Sequence, residues 1–99
     1  MTIIKKYVER IEEELEDAKE YAEKYVEHKV NGETQTAMRY KEMSNDELKH
    51  AMYIHEWATQ AIAKISETVT PPAEMLEKWE HEHKRYVDEV AHIKQMLAM

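Results

Sequence analysis

Apolar residues return along the first thirty positions at steps of three, four or five: Ile4, Tyr7, Ile11, Leu15, Ala18, Ala22, Tyr25 and Val30. That spacing puts them on one face of an α-helix, and Glu9, Glu12, Glu13, Glu16 and Asp17 between them form a solvated acidic face. The pattern predicts a helix from about Thr2 to Val30. Asn31-Gly32 ends it, because these residues tolerate the left-handed conformation of a helix C-terminus. A second helix is predicted from Glu33 or Thr34 to Ser66. Its stripe is Tyr40, Met43, Glu47, His50, Ile54, Ala58, Ala61 and Ile65, widened by Leu48, Ala51 and Ile62 on one side and by Trp57 on the other. A stripe this wide predicts contact with more than one neighbouring helix. Ser44-Asn45-Asp46 is rich in cap formers, and Ser44 with Glu47 matches a capping box, so a kink or a fresh helix start there is the alternative to one continuous helix. Thr68-Val69-Thr70-Pro71-Pro72 is the second connection, with Thr70 as cap and Pro71 at the first helical position. The third helix then runs to Leu97, with Leu76, Trp79, His83, Tyr86 or Val87, Val90, Ile93 and Leu97 on its apolar face. Short loops make consecutive helices antiparallel. The expected fold is all-α, three helices running up, down and up.

Composition narrows this picture. Ninety-nine residues make one domain, 1–99, and a chain so short buries a thin core and gains by oligomerising. The apolar shoulders of helix 2 exceed what two neighbours need, so a homodimer or larger is expected. A net charge of −7 argues against a nucleic-acid backbone or an anionic membrane surface as partner and suits cations, including metal ions. Without cysteine there is no disulfide, thiolate metal site or CxxC pair, and a cytoplasmic location is expected. The opening Met1-Thr2-Ile3-Ile4-Lys5-Lys6 leads into no continuous apolar stretch, so neither a signal peptide nor a membrane span is expected.

The chemistry-bearing pattern is Glu47-Leu48-Lys49-His50. A Glu and a His three apart share a helix face and can bind one metal ion, and here Glu47 sits mid-stripe with His50 on its shoulder. Burying an ionised carboxylate costs several kcal/mol unless something compensates it, and a cation is one such compensation. With the turn near 31–32, Glu47 comes level with about residue 16. Glu14, following Tyr7 and Ile11 by helical steps, is the acidic residue of helix 1 best placed to face it. Two metal-free alternatives stand beside this: Glu47 capping a helix that starts at Ser44, or a buried Glu47 and His50 satisfied by donors such as Tyr21 or Tyr40. His83 lies on the core face of helix 3, level with His55, and His28 and His81 fall on solvated faces.

A Glu on the first helix and a Glu-x-x-His on the second resemble the ferritin-like proteins, rubrerythrin in particular. Glu14 precedes Glu47 by 33 positions, similar to the rubrerythrin spacing, with Ala18, Tyr21 and Ala22 following the first and Asp46-Glu47-Leu48-Lys49-His50-Ala51 around the second. The resemblance spans roughly residues 4–55. It implies a ferritin-like bundle in which Glu14, Glu47 and His50 ligate metal, Glu47 bridging two ions, and Tyr21 and Tyr40 stand nearby. The implied cofactor is di-iron, with Mn or Zn as the other options, and the implied activity is oxidation of Fe(II) or reduction of peroxide. A ferritin-like bundle has four long helices carrying two ligand sets, and this chain has one helix after the motif. The site is completed either by a second copy pairing through helices 1 and 2, the preferred arrangement, or by Glu89 and His92 of helix 3, a second Glu-x-x-His. Short ferritin-like chains also resemble open reading frames of bacteria and their prophages. The alternative role is therefore a non-enzymatic assembly protein without metal.

Overall fold

The computed structural model describes residues 2–99, with side chains from Ile3 onward; Met1, the first residue of the stretch read for a signal peptide, lies outside them. The chain folds into α1 (Thr2–Val30), α2 (Thr34–Thr68) and α3 (Ala73–Leu97), with no strand among the described residues. The first turn falls at Asn31-Gly32, as expected. Gly32 has φ +76°, and a Cβ there would meet nothing within 4 Å, so the requirement is conformational and not steric. The Glu33 N–H donates to the His28 carbonyl at 2.9 Å and the Gly32 N–H to the Lys29 carbonyl at 3.0 Å, a Schellman closure of α1.

Two local readings are overturned. α2 passes through Ser44 without interruption, so Glu47 is not a capping residue. The Ser44 hydroxyl is buried and donates instead to the Ala18 carbonyl at 2.7 Å, tying α2 to α1. At the second connection, α3 begins at Ala73 with Pro72 at the N-cap position and no side-chain cap. Pro71 does not open the helix because it precedes another proline, which pushes the preceding residue out of the α region.

α1 is the central element. α2 runs antiparallel to it, with Ser44 beside Ala18 and His28 beside Glu33, while α3 runs parallel, with Arg85 beside Glu12 and Tyr25 reaching the Met99 carbonyl. Ala18, Ala22, Ala37, Ala51 and Ala58 are buried along the α1/α2 seam, where small side chains let the backbones approach, and Ile11, Leu15, Leu48, Ile54, Ile93 and Leu97 fill the core. The result is a rod of 55 × 17 × 17 Å. α3 lies mainly against α1 and touches α2 little. One shoulder of α2 is consequently left uncovered: Met43, His50 and Trp57, placed on the apolar stripe by their spacing, are exposed, Trp57 by 55%. Val30, the last member of the α1 stripe, is likewise at the surface, as are Leu76, His83 and Val87 of the expected α3 face. No described helix is long and apolar enough to cross a membrane.

Candidate metal centre

Glu14, Glu47 and His50 come together at the α1/α2 seam. One ligand atom from each lies within 4.8 Å of the others, and this is the single such group of three or more among the described residues. The antiparallel register achieves this. Ser44 opposite Ala18 sets Glu47 one turn and His50 nearly two turns further along α2, beside Glu14 one turn back along α1.

Glu14 is 6% exposed, an ionisable group in the wall of the core. Its Oε1 forms an ion pair with Arg10 Nε at 3.0 Å, one helical turn earlier. Its Oε2 faces His50 Nδ1 at 3.6 Å, and Glu47 Oε2 lies 3.7 Å from the same nitrogen. Both separations exceed hydrogen-bond length. Both carboxylates thus face the imidazole across a common space without closing on it. The Glu47 carboxyl is pushed up from 4.5 to about 7. The hydrogen bond with Glu14 contributes most, followed by burial and the Glu14 charge; His50 pulls the other way, and Asp17 adds to the rise. Two carboxylates sharing one space hold a proton between them when nothing else neutralises them.

This donor set fits a divalent cation. Two carboxylates and an imidazole suit Fe, Mn or Zn. Ligand atoms held about 2.0–2.2 Å from one ion sit roughly 3 Å apart, so the separations of 3.6 and 3.7 Å to His50 need to shorten by about 0.6–0.7 Å, within the reach of side-chain rotation. His50 is 54% exposed on the uncovered shoulder of α2, so the centre opens to the surface rather than into a sealed core. Among the described residues no hydrogen bond orients its other ring nitrogen, contrary to the carboxylate or carbonyl partner that a ligating His ordinarily has.

The remaining residues fall elsewhere. Glu89 is half-buried and His92 exposed, and neither joins the cluster. The reason is the side of α1 that α3 occupies. α3 meets Glu12 through Arg85, and Glu12 is about 200° round the helix from Glu14. Tyr21 and Tyr40 pair with each other, ring centroids 6.3 Å apart, and Tyr40 stacks on His28 at 5.3 Å.

Sequence reasoning passed over Glu82. It is 3% exposed in the α1/α3 seam, and its Oε1 is buried with no hydrogen-bond partner. Arg85 Nη1 lies 3.7 Å from its Oε2 and pairs with Glu12 Oε1 at 3.0 Å. The Glu82 carboxyl is pushed up from 4.5 to about 7, mainly by burial and then by the Glu12 charge; Arg85 opposes this, and hydrogen bonding with Glu12 reinforces it. The α3 row Met75, Trp79, Glu82, Tyr86, Ile93 and Leu97 advances at helical steps and was the signal that could have found it.

Comparison with protein families, with curated proteins and with solved structures finds no match to this chain.

Proposed function

We propose that the protein is a non-haem metal-binding protein in which Glu14, Glu47 and His50 hold a divalent cation, iron first, with Mn or Zn as the other options. The observation that supports this is the convergence of Glu14 Oε2, Glu47 Oε2 and His50 Nδ1 on one space beside a buried carboxylate. The ferritin-like resemblance extends the reading: a second copy, docked along α1 and α2, doubles the set to four carboxylates and two imidazoles, the inventory of a di-iron carboxylate bundle. Met43 and Trp57, seven positions to either side of His50 on the bare shoulder of α2, are the apolar surface such a pairing would cover. In this reading Glu14 and Glu47 supply the negative charge that holds the cations. Arg10 fixes the Glu14 carboxylate and tempers its charge, and His50 occupies the surface side. Bound iron would supply redox chemistry toward dioxygen or peroxide.

A second reading has one observation in its favour. Arg10 already neutralises Glu14, and a proton shared between Glu14 and Glu47 completes a metal-free network. The protein would then be an assembly protein using the same shoulder of α2.

Elemental analysis and anaerobic Fe(II) titration separate the two. One or two ions per chain or per dimer, abolished by Glu47→Ala and by His50→Ala, are expected. Failure of the wild-type protein to take up Fe(II), Mn(II) or Zn(II) overturns the metal reading.

A further inference from the structure

A second pair of ligand-bearing side chains meets on the other side of α2. His55 of α2 and His83 of α3 bring ring nitrogens Nε2 and Nδ1 to 2.9 Å. They are about 140° round α2 from His50, in the groove toward α3. His55 is stacked on Tyr86 with centroids 4.3 Å apart and packs against Trp79 at 5.1 Å, so two aromatic rings brace it, while His83 stands exposed.

The geometry points to a second, two-histidine metal site at His55 and His83, of the kind that takes Cu(II) or Ni(II). The bite lets both nitrogens reach a single ion, and the donor type selects which. Two imidazole nitrogens each about 2.0–2.1 Å from one ion are about 2.9 Å apart at a 90° angle and about 3.3 Å apart at a tetrahedral one. The 2.9 Å separation is within a small side-chain rotation of either arrangement, and among divalent ions a pair of imidazoles binds Cu(II) most tightly, with Ni(II) next to it in the same order. The same separation serves a single N–H···N bond in the metal-free protein; a cation replaces it once the donor ring moves its proton to its other nitrogen, so that both facing nitrogens present lone pairs and the neutral pair releases no net proton. Glu56 supports a cation here: its negative charge acts on both His55 and Tyr86. Water completes the coordination on the exposed His83 side. Because α3 touches α2 little, an ion at this point links the two helices that the core links least. The site is independent of the Glu14 cluster and of the function proposed for it.

The test uses the full chain carrying Glu47→Ala and His50→Ala, which removes the first cluster, together with Trp57→Phe, which leaves Trp79 as the only tryptophan. CuCl2 is the probe. One equivalent of Cu(II) is expected to quench Trp79 fluorescence with a low-micromolar midpoint, to give an EPR spectrum with coupling to two imidazole nitrogens, and to raise the thermal midpoint. Adding His83→Ala, at an exposed position, is expected to weaken the midpoint at least tenfold and to abolish the thermal shift; circular dichroism confirms that the variant is helical, and His83→Gln provides a second variant. Binding that persists at the same midpoint in both His83 variants, or a wild-type pair that takes up no Cu(II) below about 100 equivalents, overturns the site.

Discussion

Glu82 offers the sharpest test of the energetics because its burial and its charge are in open conflict. The perturbation is Glu82→Gln, which keeps the shape and removes the charge. The carboxyl titrates at about 7 in the folded chain against 4.5 for a solvated glutamate, a difference of 7 − 4.5, about 2.5 pH units. At roughly 1.4 kcal/mol per unit, that is about 3 kcal/mol of linkage. The sign follows from proton binding. The folded state holds the proton more tightly, so the stabilisation is fully present below pH 4.5 and is lost as pH rises through 7. Gln has no such dependence. The variant should match the wild type within about 1 kcal/mol at pH 4 and exceed it by about 1–3 kcal/mol at pH 8, the lower end reflecting the lost Arg85 attraction across 3.7 Å. The assay is urea unfolding followed by helical circular dichroism at each pH, at one protein concentration so that any association is held constant. Contributions from other titrating groups, Glu47 included, cancel in the difference between the two proteins. A difference that stays flat from pH 4 to 8, or a Gln variant weaker than wild type throughout, would refute the claim that burial raises Glu82. Glu12→Gln is the companion variant: removing the Glu12 charge should lower the Glu82 titration and shrink the pH effect.

The other expectations follow from the α1/α2 seam. Metal uptake should strengthen as pH rises toward 7 and level off above it, because Glu47 must give up its proton; calorimetry in buffers of different ionisation heat should detect close to one proton released per ion at pH 6, and no release there would contradict the shared-proton pair. Ser44→Ala should cost about 0.5–1.5 kcal/mol, the net worth of one buried hydrogen bond, as a lowered urea midpoint with an unchanged slope; a neutral result would mean that the contact to Ala18 contributes nothing. Ile11→Ala, at a fully buried position of the central helix, should cost about 2–5 kcal/mol in the same assay. Light scattering should report a dimer or larger species that Trp57→Glu converts toward monomer, and a wild-type monomer at micromolar concentration would remove the symmetric di-metal arrangement.

Periodicity made α1 legible almost to the residue, since one unbroken apolar row and an Asn-Gly stop coincide. Register was legible for the same reason: a two-residue turn fixes which levels of α1 and α2 meet, and Glu14 faces Glu47 and His50 accordingly. Rotation about the helix axes was harder to read. On α2 the apolar residues cover a wide arc, and the sequence does not say which part of it a third helix will cover. The core chose Ala37, Ser44, Leu48, Ala51 and Ala58, leaving Met43 and Trp57 bare. On α3 Ile93 and Leu97 are buried as their spacing predicts, but further up two rows compete: Leu76, His83 and Val87 against Met75 and Glu82. Residue type favoured the first, and packing took the second with a carboxylate inside it. Single residues such as Ser44, which reads as a cap and acts as a cross-link, depend on a partner more than twenty positions away.

These rotations also explain why chemistry collects on two sides of one helix. α1 cannot bury a continuous face toward both neighbours without carrying Glu12 to α3 and Glu14 to α2, because residues two apart on a helix point roughly 200° apart. Each seam thus inherits one carboxylate from the acidic run and meets another from its partner, Glu82 on one side and Glu47 on the other, and both of those titrate near 7. The seams differ in what stands beside the pair. In the α3 seam Arg85 reaches both carboxylates and Glu82 is sealed from water, so the pair is closed to ligands and a proton settles its charge. In the α2 seam Arg10 holds only the far oxygen of Glu14, and the near oxygen faces an exposed imidazole. That leaves a donor set open to solvent on the α2 side alone, which is why a cation is proposed there and not at the more deeply buried Glu82.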